Sequence, residues 1–178
     1  MKPVKILFFA SIVATFGITS CSDDDNDNVD PSLTVTDRTF IQQAAFGNKA
    51  EIEAGQMAST KGNEDMVKMF GTMMVTDHST AFDELEDMSD DWDYDLPQAP
   101  DSAHQAMKQY LNSLSGYSFD TAYMAAQVKD HQKTVALFQQ AVDGSNKLEL
   151  KSYTAKYLPK IQMHLQHADS ILTVLRTR

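Results

Sequence analysis

The sequence predicts an all-α fold, a four-helix bundle with one long crossover connection and a short extra helix inside that crossover. Three observations predict it. Apolar residues recur every three to four positions over several long segments. No segment shows the sustained alternation of a strand, and the chain holds only 7 glycines and 5 prolines. The segments fall into two hairpins, and four long helices joined by one long connection form this type of bundle.

Helix end signals predict the first hairpin. A helix is expected over residues 37–60, because Gly62 follows it as a C-terminal stop. Asn63 is then expected to cap the second helix. That helix carries an apolar stripe that ends at Met88. Residues 89–100 hold acids and two prolines, so they are predicted to form the start of the crossover.

The second half of the chain is predicted in the same way. Ser102 and Gln105 have the spacing of a capping box for the short extra helix. The next long helix is expected over 119–142, and the last is expected to begin at Asn146. Pro159 lies inside this last helix and is expected to kink it, because proline has no N–H for the helical hydrogen bond.

The start of the chain predicts export. Two lysines precede an apolar segment over residues 6–18. This segment is shorter than the ~20 residues that span a bilayer and has the length of a secretory signal core. The Ile-Thr-Ser-Cys sequence that ends at Cys21 resembles the bacterial lipobox. Residues 1–20 are therefore expected to be a lipoprotein signal peptide, and Cys21 is expected to carry acyl chains such as palmitate. A cleaved signal that leaves a free thiol is the alternative.

Residues 21–36 are predicted to form a disordered acidic tether, because a polar acidic run cannot bury apolar surface. The bundle domain is then 37–178. Lipid on Cys21 would anchor the chain to a membrane, so the expected location is the bacterial cell envelope, as an outer-membrane lipoprotein. The aspartates after Cys21 also resemble a surface-export signal, so the periplasmic and outer faces both stay open. A formal net charge of −10 argues against nucleic acid as a partner.

Three histidines occupy helical positions that the pattern reserves for apolar side chains. His78, His131 and His164 lie on the apolar stripes of three different long helices. At ~1.5 Å per residue they fall at similar heights, with Glu51 near the same level. A buried imidazole needs a hydrogen-bond partner or a metal. Three imidazoles with Glu51 as a fourth ligand would suit one copper, zinc, iron or nickel ion. A buried hydrogen-bond network that fixes helix register is the alternative.

Other residues near this level are weaker candidates. Asp77 and Asp130 each precede a site histidine and are expected to pair across a helix interface, since neighbours along a helix point in different directions. Met74, Met163 and His167 would favour copper(I) as additional ligands. Methionine also fills gaps in helical cores, and His167 flanks the stripe. The Glu-x-x-His signature of di-iron bundles is absent from the sequence, which argues against a di-iron oxidase.

Motifs on the four long helices resemble one known family. They occupy residues 48–58, 74–78, 119–123, 127–131 and 158–165. Over about residues 37–175 the chain resembles domain of unknown function family 4142, a ferritin-like helical group common in exported bacterial proteins. The resemblance implies a ferritin-like bundle. It places the family's motif histidines at His78, His131 and His164 and its acidic motif at Glu51 and Glu53. It implies no established reaction.

Taken together, the sequence favours a lipid-anchored envelope protein that is not an enzyme and whose bundle holds a buried histidine site for one transition-metal ion. Two alternatives remain open at this level. One is a structural or interaction lipoprotein in which the histidines form a hydrogen-bond network. The other is a metal oxidase or stress-protection enzyme, which rests on analogy of fold alone. The sequence indicates no particular protein partner.

Overall fold

The computed structural model describes residues 29–178. The predicted signal peptide, Cys21 and half of the predicted 21–36 tether lie outside the described residues. Within 29–178 the chain has five helices and no strand, which confirms the all-α fold. The helices are α1 Val35–Lys61, α2 Asp65–Asp90, α3 Ser102–Ser113, α4 Gly116–Gly144 and α5 Leu148–Arg176. In this part of the chain, the helices lack the long apolar stretch that a membrane span requires.

The four long helices form two hairpins that pack face to face. The helices α1 and α2 form one hairpin, and α4 and α5 form the other. The hairpins meet through α1 against α4 and α2 against α5, and α3 lies across α1 and α4. Each helix buries an apolar stripe, and these stripes merge into two apolar clusters at opposite ends of the bundle.

The two clusters leave the middle of the bundle to polar residues. The first apolar cluster includes Phe40, Leu85, Phe138 and Tyr153. The second apolar cluster includes Phe70, Met74, Tyr123 and Leu172. Along every long helix the residues of one cluster lie on the opposite side of the predicted histidine level from those of the other. The candidate site is therefore a polar layer between two apolar cores.

The structure corrects the predicted start of the first helix. It begins at Val35, and Asp37 is not its first residue but its third, where it completes a capping box. Thr34 Oγ1 accepts the Asp37 N–H at 3.1 Å, and Asp37 Oδ2 accepts the Thr34 N–H at 3.0 Å. Residues 29–34 were expected to belong to the disordered tether, yet Leu33 is 2% exposed and packs in the first apolar cluster.

Two other helix starts differ from the prediction. The group that caps α2 is not the Asn63 side chain but the carboxylate of Asp120 on α4. Its two oxygens accept the backbone N–H groups of Asn63 and Glu64 at 2.9 and 2.8 Å. For α3 the cap is Asp101 rather than Ser102, and it accepts the His104 N–H at 2.9 Å. A cap that comes from a distant helix leaves no local signal in the sequence.

The helix starts of the second hairpin also differ from the prediction. α4 begins at Gly116, whose φ of 56° suits glycine, three residues before the predicted start at residue 119. α5 begins at Leu148, two residues after the predicted Asn146. Pro159 lies inside this continuous helix, and the kink expected there stays a prediction.

The helices α1 and α2 approach most closely at a pair of glycines. A Cβ atom on Gly55 would lie 2.7 Å from the Gly71 carbonyl oxygen, and a Cβ on Gly71 would lie 2.7 Å from the Gly55 carbonyl oxygen. These distances are shorter than van der Waals contact, and the obstacle is backbone that cannot rotate away. The two glycines therefore set the spacing at which side chains higher in the hairpin meet.

We expect Gly71→Ala to destabilise the protein by about 1–3 kcal/mol, because the added methyl group must push the two helices apart. Urea denaturation followed by circular dichroism measures this change. Gly47→Ala is the matched control, since no atom lies within 4 Å of a Cβ at that position. The control should be neutral or up to about 1 kcal/mol more stable. A Gly71→Ala protein as stable as its parent would show that the crossing can widen freely.

Candidate metal centre

Three helices bring their imidazoles together in the polar layer. His78 on α2, His131 on α4 and His164 on α5 are only 6%, 1% and 1% exposed. Their ring centroids are 5.8, 5.6 and 5.5 Å apart. One ring nitrogen of each lies within 4.8 Å of a ring nitrogen of the other two. The rings form a nearly equilateral group, here called the histidine triangle.

A chain of hydrogen bonds fixes the orientation of the His78 ring. The Tyr153 hydroxyl donates to the Ala81 carbonyl oxygen at 3.1 Å, so it accepts from Asn48 Nδ2 at 3.3 Å. The amide of Asn48 is thereby oriented with its oxygen toward His78, 2.8 Å from Nδ1. Since an amide oxygen only accepts, His78 Nδ1 carries the proton and Nε2 keeps its lone pair.

The other two rings are oriented by acceptors as well. His131 Nδ1 lies 3.0 Å from the backbone oxygen of Gln127, and His164 Nε2 lies 2.8 Å from Asp77 Oδ2. Burial raises the pKa of Asp77, but hydrogen bonds from Lys160 and His164 outweigh it and hold that pKa below its usual value. Both rings therefore carry their proton on the nitrogen that faces the acceptor.

The remaining nitrogen of each ring is left as an unpaired acceptor. His78 Nε2, His131 Nε2 and His164 Nδ1 are buried without a hydrogen-bond partner. Burial lowers the pKa of His131 and of His164 to about 4, and that of His78 well below its usual value. The rings are thus neutral near pH 7. An unpaired buried acceptor costs about 1–3 kcal/mol, and one cation would satisfy all three.

The structure places Glu51 beside the triangle rather than in it. Its Oε1 lies 3.7 Å from His131 Nδ1, the nitrogen that carries the proton, and its Oε2 accepts from Gln127 Nε2 at 2.6 Å. It is not part of the group whose ligand atoms lie within 4.8 Å of one another. Burial raises the pKa of Glu51 to about 7, against the opposing effect of the Gln127 hydrogen bond. Glu51 therefore does not occupy the position of the fourth ligand that the sequence predicts.

The weaker candidates separate into one that meets the triangle and four that do not. Asp77 reaches across from α2 to His164 on α5. Asp130 instead pairs with Lys133 on its own helix at 2.9 Å. Met74 is buried in the second apolar cluster. Met163, which is 38% exposed, and His167 both face solvent, because their positions on α5 turn them away from the bundle axis.

Sequence reasoning missed the groups that orient the rings. Gln127 contributes a backbone oxygen, and any residue type supplies one, so no sequence signal marks it. From the sequence, Tyr153 is indistinguishable from other aromatic residues of the core, and Lys160 from other charged residues of the surface. Asn48 offers a partial signal, since an amide stands there at the level of the histidines on α1. Its pairing with Tyr153, 105 residues away, needs the three-dimensional fold.

A small cavity adjoins the triangle on the side of the first apolar cluster. Its volume is about 30 Å³, and its walls include Asn48, His78, His164, Phe138 and Tyr153. This is room for about one water molecule. A ligand of that size would lie next to two of the three imidazoles.

These features define a class, an all-α bundle protein with a buried three-histidine candidate metal centre. The chain belongs to the DUF4142 family, a domain of unknown function, whose family model matches residues 24–171. The resemblance seen in the sequence is thus confirmed. None of the curated proteins compared with the chain matches it.

One solved structure shows a similar fold. It is the crystal structure of a DUF305 fragment from Deinococcus radiodurans, with a TM-score of 0.71 and 12% sequence identity. The alignment covers 80% of this chain and 99% of that one. At this identity the likeness shows the fold alone.

We expect Glu51→Gln to stabilise the protein increasingly as pH rises from about 4.5 to above 7. The carboxyl has a folded pKa of about 7 against an ordinary value of 4.5, so folding opposes its ionisation and the glutamate weakens the fold as pH rises. The neutral amide removes that loss, a gain of about 2–3 kcal/mol at pH 8 over pH 4.5. Urea denaturation at several pH values measures it.

The matched control is Glu53→Gln, two residues away, where the carboxylate is half-buried and pairs with Lys108 at 2.8 Å. Loss of such a surface pair should cost at most about 1 kcal/mol. A Glu51→Gln gain that does not change with pH would mean that folding leaves the pKa of Glu51 unshifted.

Proposed function

We propose that this protein binds one transition-metal ion, copper or zinc, at the histidine triangle, and that it does so as a non-enzymatic lipoprotein of the bacterial cell envelope. One observation supports the metal site above all others. Each of the three rings has its protonated nitrogen held by an acceptor outside the triangle, so each turns a lone pair inward. Metal-binding histidines commonly have this arrangement, with the second nitrogen donating to a carbonyl or carboxylate.

The donor set favours copper and zinc over iron. The triangle offers three neutral imidazoles and no carboxylate oxygen. Imidazole suits both copper and zinc, and copper(II) binds such sites most tightly among the divalent ions of its series. Zinc with three protein ligands keeps a fourth position for water, and the adjoining cavity has room for about one water. Iron(II) sites with open positions usually include a carboxylate.

A purely structural network fits the same residues less well. In a network built of protein groups alone, at least one inward nitrogen would have to donate to another ring. The Asn48 oxygen, the Gln127 carbonyl and the Asp77 carboxylate each require a proton on the outward nitrogen instead. Three inward acceptors with no donor repel one another, whereas a cation attracts all three.

Metal titration tests the proposal on the full chain with Cys21→Ser, which removes the site of lipidation. We expect one zinc(II) or one copper(II) ion per chain by calorimetry and by competition with a chromophoric chelator. His131→Leu should weaken binding by more than about 100-fold, the upper end of the effect of outer-shell groups. His167→Leu is the matched control, because this histidine is exposed on α5. A parent chain that binds neither ion at micromolar concentration would refute the metal site.

The same titration separates the orienting group from the ligands. Asp77→Ala frees the His164 ring and should weaken binding by about 10–100-fold. Its control is Glu84→Ala, which breaks another α2–α5 pair, with Lys156 and Tyr157, that does not contact the triangle. Equal effects of the two variants would assign the loss to helix packing rather than to the ring orientation.

The lipid anchor is supported by the sequence before the described residues. Cys21 follows the lipobox-like residues, and eight residues lead from it to the first described residue, Val29. Such a segment reaches at most about 29 Å when fully extended. A lipid on Cys21 would therefore hold the bundle close to the membrane, at the end where α1 begins.

Labelling with radioactive palmitate tests the anchor in a Gram-negative host that expresses the chain with its own leader. We expect label on the parent chain and none on Cys21→Ser. The parent should sediment with the membranes, while the variant should stay in the supernatant, because it lacks the acyl chains. Ser20→Ala is a control that leaves the cysteine in place. An unlabelled parent chain would refute lipidation.

A further inference from the structure

The histidine triangle is enclosed, so a cation must cross a wall of the bundle to reach it. Two spaces lie on either side of one wall between α1 and α4. The inner space is the cavity of about 30 Å³ beside the triangle. The outer space is a cleft of about 450 Å³ between α1, α3 and α4. Both are bounded by the same three residues, Gln43, Gly47 and Thr134.

Gly47 is the weakest point of this wall. No atom lies within 4 Å of the position that its Cβ would occupy. At the other helical glycines of α1 and α2, Gly55 and Gly71, a Cβ would meet backbone oxygen at 2.7 Å. At Gly55 and Gly71 the absence of a side chain lets two backbones come into contact. At Gly47 the absence of a side chain leaves open space between the cleft and the inner cavity.

The opposite wall is closed by side chains. The inner cavity also touches Asp77, Tyr157 and Lys160 on the α2–α5 side. There the Lys160 ammonium binds Asp77 Oδ1 at 2.6 Å, while Asp77 Oδ2 binds His164. Passage on that side would require breaking both contacts. On the α1–α4 side no hydrogen bond or ion pair joins Gly47 to Thr134 among the residues described.

We propose that the gap at Gly47, between Gln43 and Thr134, is the entrance through which the metal ion and a water-sized fourth ligand pass from the cleft to the triangle. This inference rests on the proposed metal site. The outer cleft presents donors on the way, namely Glu51, His104 and Asp130. Lys129 and Lys133 also line the cleft. Their charges offset those of the acids, so the cleft would act by replacing the water ligands of the ion with protein atoms and not by attracting cations through a net negative charge.

An obstructed entrance has a kinetic signature that a perturbed site lacks. A barrier in the path slows entry and exit by the same factor and leaves the equilibrium untouched, because the dissociation constant is the ratio of the two rates. A distorted ligand set changes the dissociation constant itself. The position also tolerates a larger side chain, since leucine is a better helix former than glycine and space is free there.

The test measures zinc(II) binding and release by stopped flow on the Cys21→Ser chain, with EDTA to draw the ion out. Gly47→Leu should slow both rates at least tenfold and leave the dissociation constant within twofold of the parent. Tyr157→Leu, which opens the α2–α5 wall without removing a group that orients a ring, should leave both rates unchanged. Gly47→Ala should fall between the parent and Gly47→Leu.

Two results would overturn the entrance while leaving the metal site intact. Gly47→Leu with parental rates would show that the ion enters elsewhere, and faster rates in Tyr157→Leu would point to the α2–α5 side. A parent chain that binds no zinc(II) or copper(II) refutes the proposed function instead, so the two failures are distinct.

Discussion

The rest of the structure depends on the burial of three imidazoles in one layer of the bundle. Each ring needs an acceptor for its outward nitrogen, and the three acceptors come from Asn48 on α1, the Gln127 backbone on α4 and Asp77 on α2. The layer thus connects α1 to α2 and α2 to α5. A shift of α1, α2 or α5 along its axis would leave a buried ring without its partner, so this polar layer fixes the register of these three helices.

The close approach of α1 and α2 at Gly55 and Gly71 helps to position the same polar layer. Because the two backbones nearly touch there, the Asn48 amide on α1 can reach the His78 ring on α2. From above, the Tyr153 hydroxyl joins α5 to both helices of the first hairpin, through Asn48 and the Ala81 carbonyl. Apolar packing stabilises the two ends of the bundle, while hydrogen bonds between side chains stabilise its middle.

Periodicity was enough to predict the helices and to place His78, His131 and His164 on buried faces, because a helical repeat determines which side chains share a stripe. The same reasoning predicted that Asp77 would pair across an interface. It could not place Glu51, because the rotation of α1 about its own axis decides which nitrogen of His131 the carboxylate faces. The ring orientations depend on backbone oxygens and on a tyrosine far along the chain, and neither has a signature in the sequence.

Asp120 carries a consequence for the order in which the chain assembles. Its carboxylate completes the first turn of α2, yet it lies 57 residues beyond Asn63 in the sequence. During synthesis the first hairpin therefore emerges before the group that finishes its tight turn. Local contacts form quickly, and long-range ones wait for loop closure. The amide protons of Asn63 and Glu64 would then report the docking of one hairpin on the other, and not the formation of either hairpin alone.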